Sequence, residues 1–294
     1  LTAGTDNHYG YPASYGEGIT GIVSDELTRE AIFDALRARH TCAATGDRIE
    51  LSVRSGEALM GDVRPAGAAR EFEVEVHPLA PLDTVRIVRN GQTAQLWPGP
   101  LRPDCPPAGN YLVRLHWGWG RMGQAESTDW DIAVQVRGGS LAGAIPCFCG
   151  GPATERASRI HAASATGLRI KSFTSRENRL PVSGVVLQMR GDPSTRLFVS
   201  AQIRVEDEKG GCEVRASLDE LLCDDAWGMP LERFSSPRLR VGQAHLAEAI
   251  SFRATWRDPA PGQRDLYMVK AQQHNGQIVW SSPILFANDL SPDV

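Results

Sequence analysis

The sequence lacks long apolar runs, clustered basic stretches and paired cysteine motifs, and each absence excludes a class of protein. No segment approaches the ~20 consecutive apolar residues that a bilayer-spanning helix needs, so no membrane partner is expected. Basic residues number 31 against 35 acidic ones, for a net charge of −4, and no nucleic-acid partner is expected from that balance. Six cysteines spread over 294 residues do not form the framework of a small disulfide-stapled domain. Cys147-Phe148-Cys149 is the one close pair, and without a second pair nearby it reads as ordinary thiols rather than a zinc site. A nucleophile elbow G-x-S-x-G, an H-E-x-x-H helix and a Walker loop are all missing. G-x-G-x-x-G occurs twice, at Gly16–Gly21 and Gly118–Gly123, but a chain with 29 glycines meets that pattern easily by chance. Neither match has the strand before it and the helix after it that a dinucleotide site requires, and both are rejected. The chain opens on Leu1 without an initiator Met, so it is expected to have lost its native start. The expectation is a soluble protein of the cytoplasm or periplasm.

Hydrophobic residues make up 41% and charged residues 22%, an ordinary globular balance, and the length suits one large domain or two to three ordinary ones. One segment reads as an amphipathic helix, "SDELTREAIFDALRARHT". Ser24 or Thr28 can cap it, Glu30 suits its first turn, and Arg37, Arg39 and His40 suit its last. Ile32, Phe33 and Leu36 form the stripe expected to be buried. Residues 1–40 therefore read strand (Leu1–Thr5), loop, helix. From Arg48 onward strand follows strand. "EFEVEVH" sets Phe72, Val74 and Val76 on one face and Glu71, Glu73 and Glu75 on the other, while Asn90-Gly91 and Asn275-Gly276 are hairpin signals. The stretch "GGSLAGAIPCFCGGPATERAS" reads as a junction. The predicted fold is mainly β: a short α/β piece over 1–47, a β-sandwich over 48–137 and a second all-β domain over 138–294. Short helical turns are expected at "LDELLCDD" and "LAEAI".

The chemistry-bearing pattern is Asp6-Asn7-His8. A carboxylate and an imidazole two apart on a strand share a face, and at a strand's end that face can hold a metal. The bland alternative is a structural Asp–His bond or an Asp capping a turn. "HWGWG" places Trp117 and Trp119 at alternating positions, more consistent with core or interface than with a stacking platform. His77, His161, His245 and His274 are isolated and receive no role.

On "GTDNHYG", "EGITGIVSDELTREAIFDALRARHTCAATGDRIELSV" and "MGD", together with the C-terminal "LYMVKAQQHNGQIVWSSPI", the chain resembles the PHP superfamily, named for polymerase and histidinol phosphatase. Within it, the chain is most similar to PHP-like proteins that carry β-sandwich domains after the barrel. The resemblance implies that residues 1–47 are the last strand and helix of a distorted β/α barrel, with Asp6 and His8 as metal ligands. In the intact protein it implies divalent Zn, Mn or Fe, and a metal-bound hydroxide attacking a phosphoester or a related ester or amide of a small-molecule substrate. The family's H-x-H motif has no counterpart, since no two histidines here are two apart. The chain alone is therefore expected to be inactive, its other ligands lying on polypeptide outside this sequence. Packing on a second copy, a homo-oligomer, would be another way to cover the helix. The competing expectation is a non-catalytic β-sandwich binding or assembly module that uses the Trp117/Trp119 region.

Overall fold

The computed structural model describes residues 1–6, 14–100, 108–119, 127–149, 158–175, 182–233 and 235–288. The protein is mainly β, built of antiparallel sheets. No helix among the described residues is long and apolar enough to cross a membrane. The chain divides into two compact units: Leu1–Thr5, Glu17–Arg102 and Ala249–Val294 form the first, and Asp6–Gly16 with Pro103–Glu248 form the second.

In the first unit an eight-stranded sheet and a four-stranded sheet share one core. The alternation of Glu71–His77 is realised as read, with Phe72, Val74 and Val76 fully buried. Each such side chain contributes about 1.5–3 kcal/mol by leaving water. This strand pairs with Glu50–Ser55 on one side and Phe252–Arg257 on the other. Phe72 meets Tyr267 of the facing sheet at a ring-centroid distance of 4.6 Å. Asn90 (φ 50°) and Gly91 (φ 82°) take the left-handed conformations of a tight hairpin turn between Leu82–Arg89 and Gln92–Pro98. The second hairpin turns at Gly276 (φ 82°) between Asp265–Gln273 and Ile278–Ser281.

The second unit is a sandwich of two five-stranded sheets around a single core. Ser127–Arg137 is central to one sheet and Gly109–Gly118 to the other. Trp117 is fully buried and donates its indole N–H to Ser172 Oγ at 2.8 Å, so the large apolar ring enters the core with its one donor satisfied. Leu218–Cys223 forms the expected helical turn, closed by a capping box between Ser217 and Glu220, and Ala247–Ile250 forms the other.

Three expectations are corrected. The units are not the consecutive segments 1–47, 48–137 and 138–294, because β pairing is long-range. Strands between residues 50 and 98 pair with strands beyond residue 251, whereas Gly109–Gly118 and Ser127–Arg137 pair with strands between residues 159 and 246. The Gly/Ala/Cys-rich stretch is no junction either: Ser140–Cys147 is a strand paired with Val182–Gly191. Residues 1–5 form no strand, since the Thr20 side chain, rather than a ladder, bonds both Ala3 N and Ala3 O.

The helix also differs from its expected burial. It spans Arg29–Arg37 with Thr28 as its cap, as read, but Ala35 is its one buried residue. Phe33 and Leu36 are 54% and 40% exposed, and Arg37 lies over the Phe33 ring. Ile32 is half-buried, so of the expected stripe Phe33 and Leu36 face outward.

Candidate functional site

Asp6 is exposed and sits at φ 51°, a left-handed conformation that Asp tolerates and most side chains avoid. The backbone is therefore not extended here, and the strand argument for a shared Asp6–His8 face does not hold at its first residue. His8 lies outside the described residues. Among the described residues, no three His, Cys, Asp or Glu side chains gather closely enough to hold a metal ion. Asp6 by itself supplies one oxygen donor, too few for a hydrolytic metal, which takes at least three protein ligands. The described residues thus do not fit a complete metal site.

The rest of the motif-bearing segment has a structural explanation. The helix ends with Arg39 at φ 63°, in the position glycine commonly fills, while His40 N returns to Ala35 O. Gly61 (φ 104°) packs directly against that turn: a Cβ there would stand 2.2 Å from Arg39 O. Arg39 Nε donates to Gly61 O at 3.0 Å, and His40 Nε2 meets Asp62 Oδ1 at 2.9 Å. Met60, beside them, is fully buried. "RH" and "MGD" therefore form a clamp between the helix end and a loop.

An aromatic platform marks the second unit. Trp227, on the edge strand Ala226–Gly228, is 54% exposed, and its ring centroid lies 5.9 Å from that of Trp119. Arg240 stacks over Trp227 at 5.5 Å and is fixed by Asp225, whose Oδ2 accepts from Nε at 2.8 Å. Asp225 Oδ1 in turn accepts from Gln243 N. An exposed indole held by a pinned guanidinium suits stacking on a flat or weakly polar ligand surface. Trp117 is core as expected, but Trp119 departs from the strand at φ 60° and joins the surface cluster instead. The sequence singled out Trp119 but not Trp227, Arg240 and Asp225, which only the pairing of Ala226–Gly228 with Arg238–Leu246 brings together.

The remaining candidates resolve as structure. Gly16–Gly21 leads into the strand Ile19–Ile22 rather than a helix, and part of Gly118–Gly123 lies outside the described residues. Cys147 and Cys149 are both buried. Burial pushes the Cys212 thiol up to about 11, far from reactive at neutral pH.

Set against known proteins, this two-unit, mainly β chain matches over part of its length. Residues 3–71 match the model of a family described as a protein of unknown function, DUF3604. An uncharacterized protein of Chlamydia pneumoniae is 39% identical over 84 residues, which is 26% of this chain. The chain covers 14% of that relative's length.

Proposed function

We propose that the chain is the C-terminal, β-rich part of a metal-dependent hydrolase of the PHP type, acting on a phosphoester or related ester or amide. Asp6 and His8 contribute metal ligands in the intact protein, and the β units are non-catalytic. One observation carries the reading. Of the eight large apolar side chains left exposed among the described residues, five (Leu1, Ile22, Leu27, Phe33 and Leu36) lie in the first 36 residues. Leu27 is 95% exposed. Exposed apolar side chains concentrated in one stretch of the chain suit a segment covered by further polypeptide. The stretch is the one that the PHP resemblance takes as the last strand and helix of a barrel, and Phe33 and Leu36 lie on that helix. The test is a longer protein, extended upstream of Leu1 by its native coding sequence, assayed with p-nitrophenyl phosphate and added divalent metal. Turnover that disappears in Asp6→Ala and His8→Ala supports the reading. A longer protein that neither retains metal nor hydrolyses esters overturns it.

The Trp227 platform favours a second reading, a recognition module that binds through stacked aromatics. Trp227→Ala would then abolish ligand binding while leaving hydrolysis by the longer protein intact.

A further inference from the structure

We propose that the outward face of one sheet of the second unit binds an extended acidic polysaccharide. The sheet runs, in spatial order, Arg159–Ser164, Gly167–Ser175, Ser127–Arg137, Arg196–Val205 and Glu208–Ser217. Along each strand alternate residues enter the core, as Trp130, Ile132 and Val134 do, and their neighbours point outward. The outward set is not a random polar surface. Its three carboxylates are matched one for one: Asp129 with Arg204, Asp131 with Arg169 and Glu213 with Arg215, at 2.9, 3.2 and 2.7 Å. Beyond these pairs stand Arg159, Lys171 and Lys209, exposed and without an ion-pair partner among the described residues. All three line the same hollow, of about 710 Å³. In a chain of net charge −4, that is a local concentration of positive charge.

The chemistry of the hollow selects among anions. Gln202 and the carboxylates of Asp129 and Asp131 line it together with the cations. These oxygens accept hydrogen bonds, and a partner must therefore offer hydroxyl donors as well as negative charge. A uronate polymer offers both on each ring, whereas a DNA phosphodiester backbone offers negative charge without hydroxyl donors. Two half-buried phenylalanines, Phe173 and Phe198, lie on this face, the second beneath the Arg137 guanidinium at 4.5 Å. Phe198 belongs to a second hollow of about 440 Å³ on the same face, with Ser200, Gln135 and Arg215. At the centre of the sheet only Ala133 and Ser200 stand in the row beside Asp131 and Gln202, with Arg169 and Glu213 at the flanks of that row. Five strands and the length of Ser127–Arg137 give a face of about 19 by 30 Å, long enough for several sugar rings. The assignment rests on neither reading of function given above.

Isothermal titration of the full chain with an oligogalacturonate tests it. The expected result is binding that weakens as salt rises. It should fall about tenfold or more in the Arg159→Ala/Lys171→Ala variant, and remain unchanged in Arg48→Ala/Arg54→Ala, which removes equal charge from the first unit. Both pairs are exposed, so both variants should fold. Failure to bind oligogalacturonate, or equal binding by the two variants, overturns the proposal. So does tighter binding of duplex DNA, which would make the face a nucleic-acid surface. Equal binding of a neutral glucan, lost in Trp227→Ala, would place recognition on the aromatic platform instead.

Discussion

Replacing Asp265 with alanine should destabilise the first unit by about 3–5 kcal/mol, the usual cost of removing one partner from a buried, hydrogen-bonded ion pair. Asp265 is 1% exposed and accepts from Arg89 Nε at 2.9 Å, Asn90 Nδ2 at 2.9 Å and Gly262 N at 2.6 Å. Arg70, whose side chain is 4% exposed, lies 3.8 Å away by its Nε. Without the carboxylate, Arg70 keeps the Gly262 carbonyl and the face of Phe286 but loses its counter-charge. Arg89 retains Asp258 at 3.1 Å and is partly solvated, so the larger share of the cost falls on Arg70. Burial pushes the Asp265 carboxyl up, but bonds from Gly262, Arg89 and Asn90 outweigh it and hold the group below its ordinary value. Its stabilisation is therefore complete above the unfolded value of about 3.9 and is lost as pH falls through the lower folded value. The assay is hydrogen exchange read by mass spectrometry on peptides covering Asp265–Gln273 and Glu71–His77, at neutral pH and in acid. Asp265→Ala should speed exchange in both strands at neutral pH, and the gap from wild type should narrow in acid. A neutral-pH loss below about 1 kcal/mol, or a gap that widens in acid, would refute the reasoning.

Gly61→Ala should cost about 2–4 kcal/mol, measured by urea unfolding, because the new Cβ meets Arg39 O at 2.2 Å in a left-handed backbone. Under native conditions iodoacetamide should label exposed Cys223 well before Cys42 or Cys212, whose thiols burial pushes up; peptide mapping reads the order. Asp6→Ala should leave hydrogen exchange across residues 48–288 unchanged, since the residue is exposed; global unfolding would make Asp6 a structural residue.

Local pattern was readable where one face of a strand is buried and the other wet. Glu71–His77, both Asn-Gly hairpins and the Thr28 cap follow from rules that operate within a few residues. The partition into units was not readable. Residues 71–77 pair with residues 252–257, and no local signal records which distant strand completes a sheet. Glycine was misleading for the same reason. Gly138 and Gly139 look like a linker in sequence, but in the fold they make a tight turn: Gly138 is left-handed (φ 75°), and a Cβ on Gly139 would meet Arg190 O at 2.5 Å.

The same limit explains the site. A metal motif is read from residues close in sequence, and Asp6-Asn7-His8 is of that kind. The two surfaces proposed for recognition are not. Trp227 reaches Trp119 only through strand pairing at a sheet edge, and Arg159, Lys171 and Lys209 come from three separate strands. A basic surface built from alternating strand positions leaves no basic run in the chain, because each outward cation is flanked by inward apolar residues, as in "LRIKSF". Near-neutral composition therefore excludes a basic segment but not a basic sheet face. Lys171 stands opposite Arg159 on one neighbouring strand and opposite Asp131 on the other, so the repulsive and attractive cross-strand terms offset each other, and Lys171→Ala should change the stability of the second unit by less than about 1 kcal/mol. A Lys171→Ala variant that keeps its stability in urea unfolding while losing affinity for oligogalacturonate would identify the charge as one that acts in binding rather than in the fold.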